Sequence, residues 1–326
     1  MKILLTGASG FVGSHILDSL RARGLATVLL LRPTSNKQFI ASHLPEVELR
    51  PGSISDPESL RQAMAGVTHV IHCAGATRAA RVSGFYEVNQ AGTRNVVNAV
   101  NGQPGRVQRL VHVSSLAAAG PARPEQPARE QDPPSPVSEY GKSKLAGELE
   151  VRNHCRAEHV ILRPPAVYGP RDAEFLRLFQ AAKCHLLARL GGGQTLSLVF
   201  VRDMVEAVVT CLDHPAAVGK TYFVAAREIV TARRIAEEVA AQMNVWTLPL
   251  PVPLALVWLM CLAQEIRTRL TGKPNVLSIQ KFAELRAPGW VCDPTLLESE
   301  TGCACPTNLK TGVAETLSWY RQQHWL

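Results

Sequence analysis

The chain predicts an α/β fold: a doubly wound parallel sheet with a smaller, mostly helical C-terminal lobe. Three observations carry this. Apolar strand-like runs alternate with amphipathic helix-like segments through the first half of the 326 residues. The first run ends in three glycines spaced three apart, Gly7, Gly10 and Gly13, in MKILLTGASGFVGSHIL. The alternation then resumes without repeats or low-complexity tracts. Strand, helix, strand in series requires right-handed crossovers and parallel pairing.

Taken in order, Lys2–Leu5 reads as a strand. Phe11, Val12, Ile16, Leu17 and Leu20 fall at helical spacing, and Gly24 ends that helix. Thr27–Leu31, Val47–Arg50 and Val70–Cys73 read as strands, and Tyr86–Val100 as a helix. Leu110–Ser114 is a strand, Glu139–Cys155 a helix and Val160–Arg163 a strand. Ala122–Pro136, rich in proline and polar residues, is a loop. Later, Asp203–Leu212 reads as a helix and Thr221–Ala225 as a strand returning to the sheet. Residues 1–165, with about 195–226, are expected to form the nucleotide-binding domain. Residues of about 166–194 and 227–326 form the substrate-binding lobe.

Composition narrows the function. Hydrophobic residues make up 46%, enough for a sizeable core, and the net charge of +8 is mild for this length. No dense Lys/Arg block is present, so no nucleic-acid partner is expected. The opening turns to glycine too early for a signal peptide, and eight scattered cysteines fit a reducing, cytoplasmic setting. Cys303 and Cys305 lack a partner pair, so no metal is expected. Leu248–Ala263, LPLPVPLALVWLMCLA, is unusually apolar yet shorter than a bilayer span. It reads either as a buried or pocket-lining helix or as a greasy lip touching a membrane or an apolar substrate.

The glycines sit between a strand and a helix. Such a turn brings backbone N–H groups of Gly7, Ser9, Gly10, Phe11, Val12 and Gly13 towards a pyrophosphate, and bulky Cβ groups would block it. The helix that follows aims its free N–H groups and positive dipole end at the same place. At the end of the second strand, VLLLRPTSN carries no acid to bind an adenosine ribose. Arg32 stands there instead, able to hold a 2′-phosphate or to stack on adenine, so NADP is expected over NAD.

Tyr140 and Lys144 in SEYGKSKLAGE lie one helical turn apart on one face. A phenol is a poor acid–base group at neutral pH, and an ammonium beside it would stabilise the phenolate and lower its pKa. The same spacing also occurs as a surface pair on an exposed helix. LVHVSSLAAAG ends a strand at Ser114 and Ser115, at the carboxyl edge where such sheets bind ligands.

TGASGFVG, with Y-x-x-x-K and the upstream serines, resembles the extended short-chain dehydrogenase/reductase superfamily, also called the NAD-dependent epimerase/dehydratase family. The resemblance implies a Rossmann-type domain, a nicotinamide cofactor and a C-terminal substrate lobe. It makes Ser115 the serine that donates to the substrate oxygen, with Ser114 as its easily confused neighbour. Tyr140 becomes the proton donor or acceptor, and Lys144 the group that tunes it and holds the nicotinamide ribose. GSISDPESL resembles the segment whose Ser53 and Ile54 flank the adenine, although the usual acid is missing. VIHCAGATRA resembles the stretch that lines the ribose and nicotinamide through Ala74, Gly75 and Ala76, beside Val113. YEVNQAGTRNVVNAV keeps Asn89 and Thr93 of a family helix.

In LRPPAVYGPRD the backbone from Pro164 to Val167 is implied to lie along the nicotinamide amide. Tyr168 and Arg171 would point to the substrate cleft or support its rim. LVFVRDMVEAV keeps Asp203 of a later family segment, with Arg202 replacing an acid. A homodimer through the Y-x-x-x-K helix and Tyr86–Val100 is implied as well.

Ser115 is followed by Leu116, Ala117, Ala118 and Ala119, without the acid pair of nucleotide-sugar dehydratases. Arg171, Arg177 and Arg189 lack the diagnostic setting of residues that hold a sugar nucleotide's pyrophosphate. Leu196–Val201 and Leu248–Ala263 are taken as apolar cleft walls, which favour a hydrophobic small-molecule ketone or alcohol. The resemblance extends at least as well to the 3β-hydroxysteroid dehydrogenase and dihydroflavonol reductase branches. The expected activity is an NAD(P)-dependent oxidoreductase. A nucleotide-sugar epimerase and a non-catalytic NAD(P)-binding sensor are the alternatives.

Overall fold

A computed structural model describes residues 1–103, 105–190, 193–271 and 279–326. Six strands of the first half are β1 (Lys2–Thr6), β2 (Ala26–Leu31), β3 (Glu48–Pro51), β4 (His69–His72), β5 (Arg109–Val113) and β6 (Glu158–Arg163). Together with Thr221–Phe223 they form one parallel sheet. Its order is Thr221–Phe223, β6, β5, β4, β1, β2, β3. The chain winds outwards from β1 to β3 and then returns to place β4 on the other side of β1. The crevice between β1 and β4 is therefore the switch point at which such sheets bind ligands.

Alternation along β1 explains the layers. Ile3 and Leu5 pack with Ile16, Leu17 and Leu20 of α1 (Phe11–Ala22) on one face. Leu4 faces the other way, onto Leu60 of α2 (Pro57–Ala63) and onto Val96 and Val97 of a later helix.

The helix expected over Tyr86–Val100 is built in three pieces. These are α3 (Val82–Tyr86), a π-helical turn at Glu87–Ala91 and α4 (Gly92–Asn101). The wide turn holds Asn89, whose side chain clamps a neighbouring loop, and π turns often mark such sites. A short α5 (Leu116–Ala119) and the long α6 (Glu139–His154) follow.

The lobe holds a small sheet of Ile229–Thr231, Thr195–Phe200 and Gly289–Trp290, with Ala166–Tyr168 alongside. Thr195–Phe200 thus pairs with lobe strands and not with the seven-stranded sheet. The helix after it, Val201–Thr210, lies against α1 in the main core. Leu198, Val199 and Phe200 are buried in these cores. The expectation that Leu196–Val201 walls the cleft is therefore corrected: packing between lobe and domain uses this strand up.

Candidate active site

The glycine turn closes between β1 and α1. Gly7 has φ +78, a conformation costly for other residues, and a Cβ there would lie 2.7 Å from the Ala74 nitrogen. A Cβ on Gly13 would lie 2.0 Å from the Gly7 carbonyl oxygen. Both are demanded by the protein's own packing. Gly10 differs. It caps α1 without a side-chain hydrogen bond, and a Cβ on it would meet only the Gly7 oxygen, at 3.3 Å. The first turn of α1 has no acid, so its N–H groups and dipole face the exposed Gly10 position unopposed. A dinucleotide fits this cradle, which a side chain at position 10 would fill. Gly10→Val therefore folds with near-native melting but weakens cofactor affinity by at least about tenfold, read by fluorescence titration. Gly13→Val fails to give folded protein.

Across the crevice, β4 leads into Cys73, Ala74 and Gly75. Asn89 accepts a hydrogen bond from the Ala76 nitrogen at 2.8 Å and donates to the Ala76 oxygen at 3.0 Å and to the Ser143 hydroxyl at 2.9 Å. This ties the loop of Ala74, Gly75 and Ala76 to the π turn and to α6. A Cβ on Gly75 would come within 3.6 Å of the Lys144 amine. Beneath it, His72 hydrogen-bonds Thr6 at 2.8 Å and Thr93 at 3.1 Å, and burial pushes its pKa down to about 3. That ring is neutral and structural. After β3, Ser53 binds Ser55 and Ser59. The Ile54 side chain packs on Gly92 of α4. Arg32 is exposed, with no ion pair among the described residues.

α6 is capped by Ser138, whose hydroxyl accepts from the Gly141 nitrogen at 3.1 Å. The cap puts Tyr140 in the first turn and Lys144 in the second. The Lys144 amine donates to the Val113 carbonyl at 2.8 Å, and burial lowers its pKa to about 8. Tyr140 is pushed up to about 12, chiefly by burial, and is pulled back by a hydrogen bond with Ser115. The expected lowering by Lys144 is thus corrected. The amine is committed to a backbone carbonyl and is not among the groups that shift the phenol. Glu284 and Glu174 both raise it further.

The two serines separate cleanly. Ser114 is buried and donates to Glu148 at 2.6 Å. Glu148 in turn binds Arg163 through two contacts at 2.9 and 2.7 Å, all inside the protein. Ser115 caps α5, accepting from the Ala117 nitrogen at 3.1 Å, and turns to Tyr140. Pro164 lies beside it, its carbonyl accepting from the Leu116 nitrogen at 2.7 Å. Val167 sits in the Ala166–Tyr168 strand paired to Val199.

Other expected residues lie elsewhere. Tyr168 is buried in the lobe's aromatic core, with Phe175 and Phe200. Arg171 pairs with Asp18 at 2.8 Å and donates to Ser14 at 3.1 Å, fastening the lobe to α1. Asp203 accepts from the nitrogen and hydroxyl of Thr307, both at 2.9 Å. These are supports and not substrate contacts. The Arg189 side chain lies outside the described residues.

Three side chains that the sequence did not single out flank the site. Arg78 and Glu174 form an ion pair between the loop after β4 and the lobe. Glu284, from the lobe helix Ile279–Leu285, accepts from the Ser138 hydroxyl at 2.7 Å. No short motif marks such contacts, because they join segments about a hundred residues or more apart.

Comparison with known proteins agrees with this architecture. The chain is 30% identical to a ceramide reductase of Caulobacter vibrioides over 329 residues, covering 99% of this chain and 96% of that one. It is 29% identical to a UDP-glucose 4-epimerase of Vibrio cholerae, covering 91% and 92%. The solved UDP-glucose 4-epimerase of Thermus thermophilus, in complex with NAD, superposes with a TM-score of 0.77 at 25% identity, covering 98% and 99%. The profile described as NAD dependent epimerase/dehydratase family matches residues 3–225. The crevice, the glycine turn and these matches agree: the chain belongs to the NAD dependent epimerase/dehydratase family.

Proposed function

We propose that the protein is an NAD(P)-dependent oxidoreductase acting at a carbonyl or alcohol of an apolar substrate, with NADP preferred. The observation that carries this is Ser115 close enough to Tyr140 to pull its phenol pKa back down, on the carboxyl edge of the sheet, with Lys144 beside Gly75. When bound, the nicotinamide supplies or accepts the hydride. Ser115 donates a hydrogen bond to the substrate oxygen. Tyr140 gives that oxygen its proton, or takes it in the reverse direction. Lys144 holds the end of β5 through Val113 and offers its remaining N–H groups on the Gly75 side. Gly7, Ser9, Gly10, Phe11, Val12 and Gly13 hold the pyrophosphate, and Ser53 and Ile54 border the adenine. Catalysis then comes from orientation and fixed dipoles.

Three features favour an apolar substrate. LAAA follows Ser115, with no acid to drive dehydration. Phe85 lies 6.2 Å from the Tyr140 ring. Arg171 is already engaged with Asp18, so it does not serve a sugar nucleotide's second phosphate. The test is NADPH oxidation across a panel of long-chain and cyclic ketones. Turnover supports the reading. Tightly retained cofactor with no net NADPH consumption, but interconversion of UDP-sugars, supports the epimerase suggested by the Vibrio cholerae relative.

Arg32 makes a separate prediction. Its guanidinium, free of carboxylates among the described residues, suits the 2′-phosphate by charge-assisted hydrogen bonds. Arg32→Ala raises the Kd for NADPH by about 10-fold to 100-fold and leaves that for NADH nearly unchanged. Equal losses for both cofactors would refute an NADP preference.

A further inference from the structure

From Trp246 to Ala263 every residue described as exposed is apolar. These include Trp246 at 69%, Leu248 at 55%, Leu256 at 49%, Trp258 at 42% and Leu259 at 53% exposure. The stretch folds as strand Leu248–Val252 followed by helix Leu254–Thr271. An ordinary surface helix turns polar residues outwards. This one buries Val257 and Cys261 and presents Leu254, Leu256, Trp258, Leu259 and Met260 instead. The expectation of a buried helix is therefore corrected: the segment is exposed. A contiguous apolar surface of this length marks a docking site.

The neighbouring charge says what docks. Strand Leu186–Leu190 pairs with Leu248–Val252, and the helix Leu176–Lys183 leads into it. Residues 176–190 and 246–271 together carry five basic residues and one carboxylate, Glu265, which is half-buried. Arg177, Lys183 and Arg267 are exposed. Exposed tryptophans, aliphatic side chains and a cationic border match the interfacial zone of an anionic bilayer. No helix among the described residues is long and apolar enough to cross a membrane, so the contact is one of lying on the surface. The same helix packs on Ile279–Leu285, whose Glu284 reaches Ser138, two residues from Tyr140. The apolar face is thus one helix away from the cleft.

We propose that the face from Trp246 to Ala263 docks this protein on an anionic lipid surface. The cleft then stands beside the phase in which an apolar substrate dissolves. That use rests on the oxidoreductase reading above, whereas the binding does not.

The test is flotation of the full chain with phosphatidylcholine vesicles, with and without phosphatidylglycerol. The unmodified chain floats with the anionic vesicles, and its tryptophan emission shifts to the blue and is quenched by brominated lipid. Leu256→Glu/Leu259→Glu, checked for retained cofactor binding, lowers the partition coefficient by at least about tenfold. Should that variant fail to fold, quenching of the unmodified chain decides alone. Absence of flotation and quenching overturns the proposal. So does unchanged flotation of the folded variant. So does a dimer of the unmodified chain that the variant dissociates while vesicles bind neither form, because a second copy then covers the face. A chain that floats but oxidises no NADPH would sink the oxidoreductase reading and leave the docking intact.

Discussion

Replacing Tyr140 by phenylalanine lowers kcat for carbonyl reduction by about 10²–10⁴-fold, while NADPH affinity is unchanged. The ring keeps its place in the first turn of α6, capped by Ser138 and 6.2 Å from Phe85. Only the hydroxyl is lost, and with it the proton donor and the partner of Ser115. The pH dependence follows from the same burial. With a pKa pushed up to about 12, the phenol holds its proton throughout the neutral range and is ready to donate it. Alcohol oxidation needs the phenolate, so its rate rises with pH across that range. Reduction stays level until Lys144, at about 8, gives up a proton and with it one of the N–H groups it offers on the Gly75 side, and then declines. Steady-state kinetics in both directions measures this. A phenylalanine variant retaining more than about a tenth of native turnover would remove Tyr140 from the chemistry.

Arg163→Ala destabilises the fold by about 3–5 kcal/mol, read by denaturant unfolding. Arg163 and Glu148 are 1% and 0% exposed. Removing the guanidinium leaves the buried carboxylate, among the described residues, with only Ser114 and the longer contact to Arg152 at 3.6 Å. The damage extends to the site. Ser114 hangs on Glu148 at 2.6 Å, and its neighbours on the same strand end supply Ser115 and the Val113 carbonyl that binds Lys144. Turnover therefore falls together with stability, although Arg163 touches no reacting atom. Removing both charges is milder. Glu148→Leu/Arg163→Met is more stable than either single substitution, because no poorly paired charge remains inside. A cost below about 1 kcal/mol for Arg163→Ala would mean that water or movement rescues Glu148.

The expected strands match the observed ones to within about two residues, and the reason is physical. A parallel strand buried on both faces must be continuously apolar, as in ILLT or VLLL, and each helix shows its own period. The glycine turn was legible for a related reason: the sterics at Gly7 and Gly13 admit no other residue. Tyr140 and Lys144 were legible through helical spacing taken together with the family resemblance. The role of Lys144 was not. Its amine turns to Val113, and only the path of β5 beside α6 sets that choice. Tyr168, expected to point to the cleft or support its rim, and Asp203, kept from a family segment, both serve as packing supports.

Local chemistry in the chain was enough to specify the parallel sheet, the glycine turn and the placing of a phenol and an amine on one helical face. Each depends on residues a few positions apart, whose sterics and periodicity act before any long-range contact forms. Which serine faces the cleft, which carboxylates surround Tyr140, and that Trp246–Ala263 lies outside and not within were settled by folding. Those outcomes depend on burial and on partners up to about 150 residues away, such as Glu284 against Ser138. Burial is a property of the assembled surface and is not carried by any one segment.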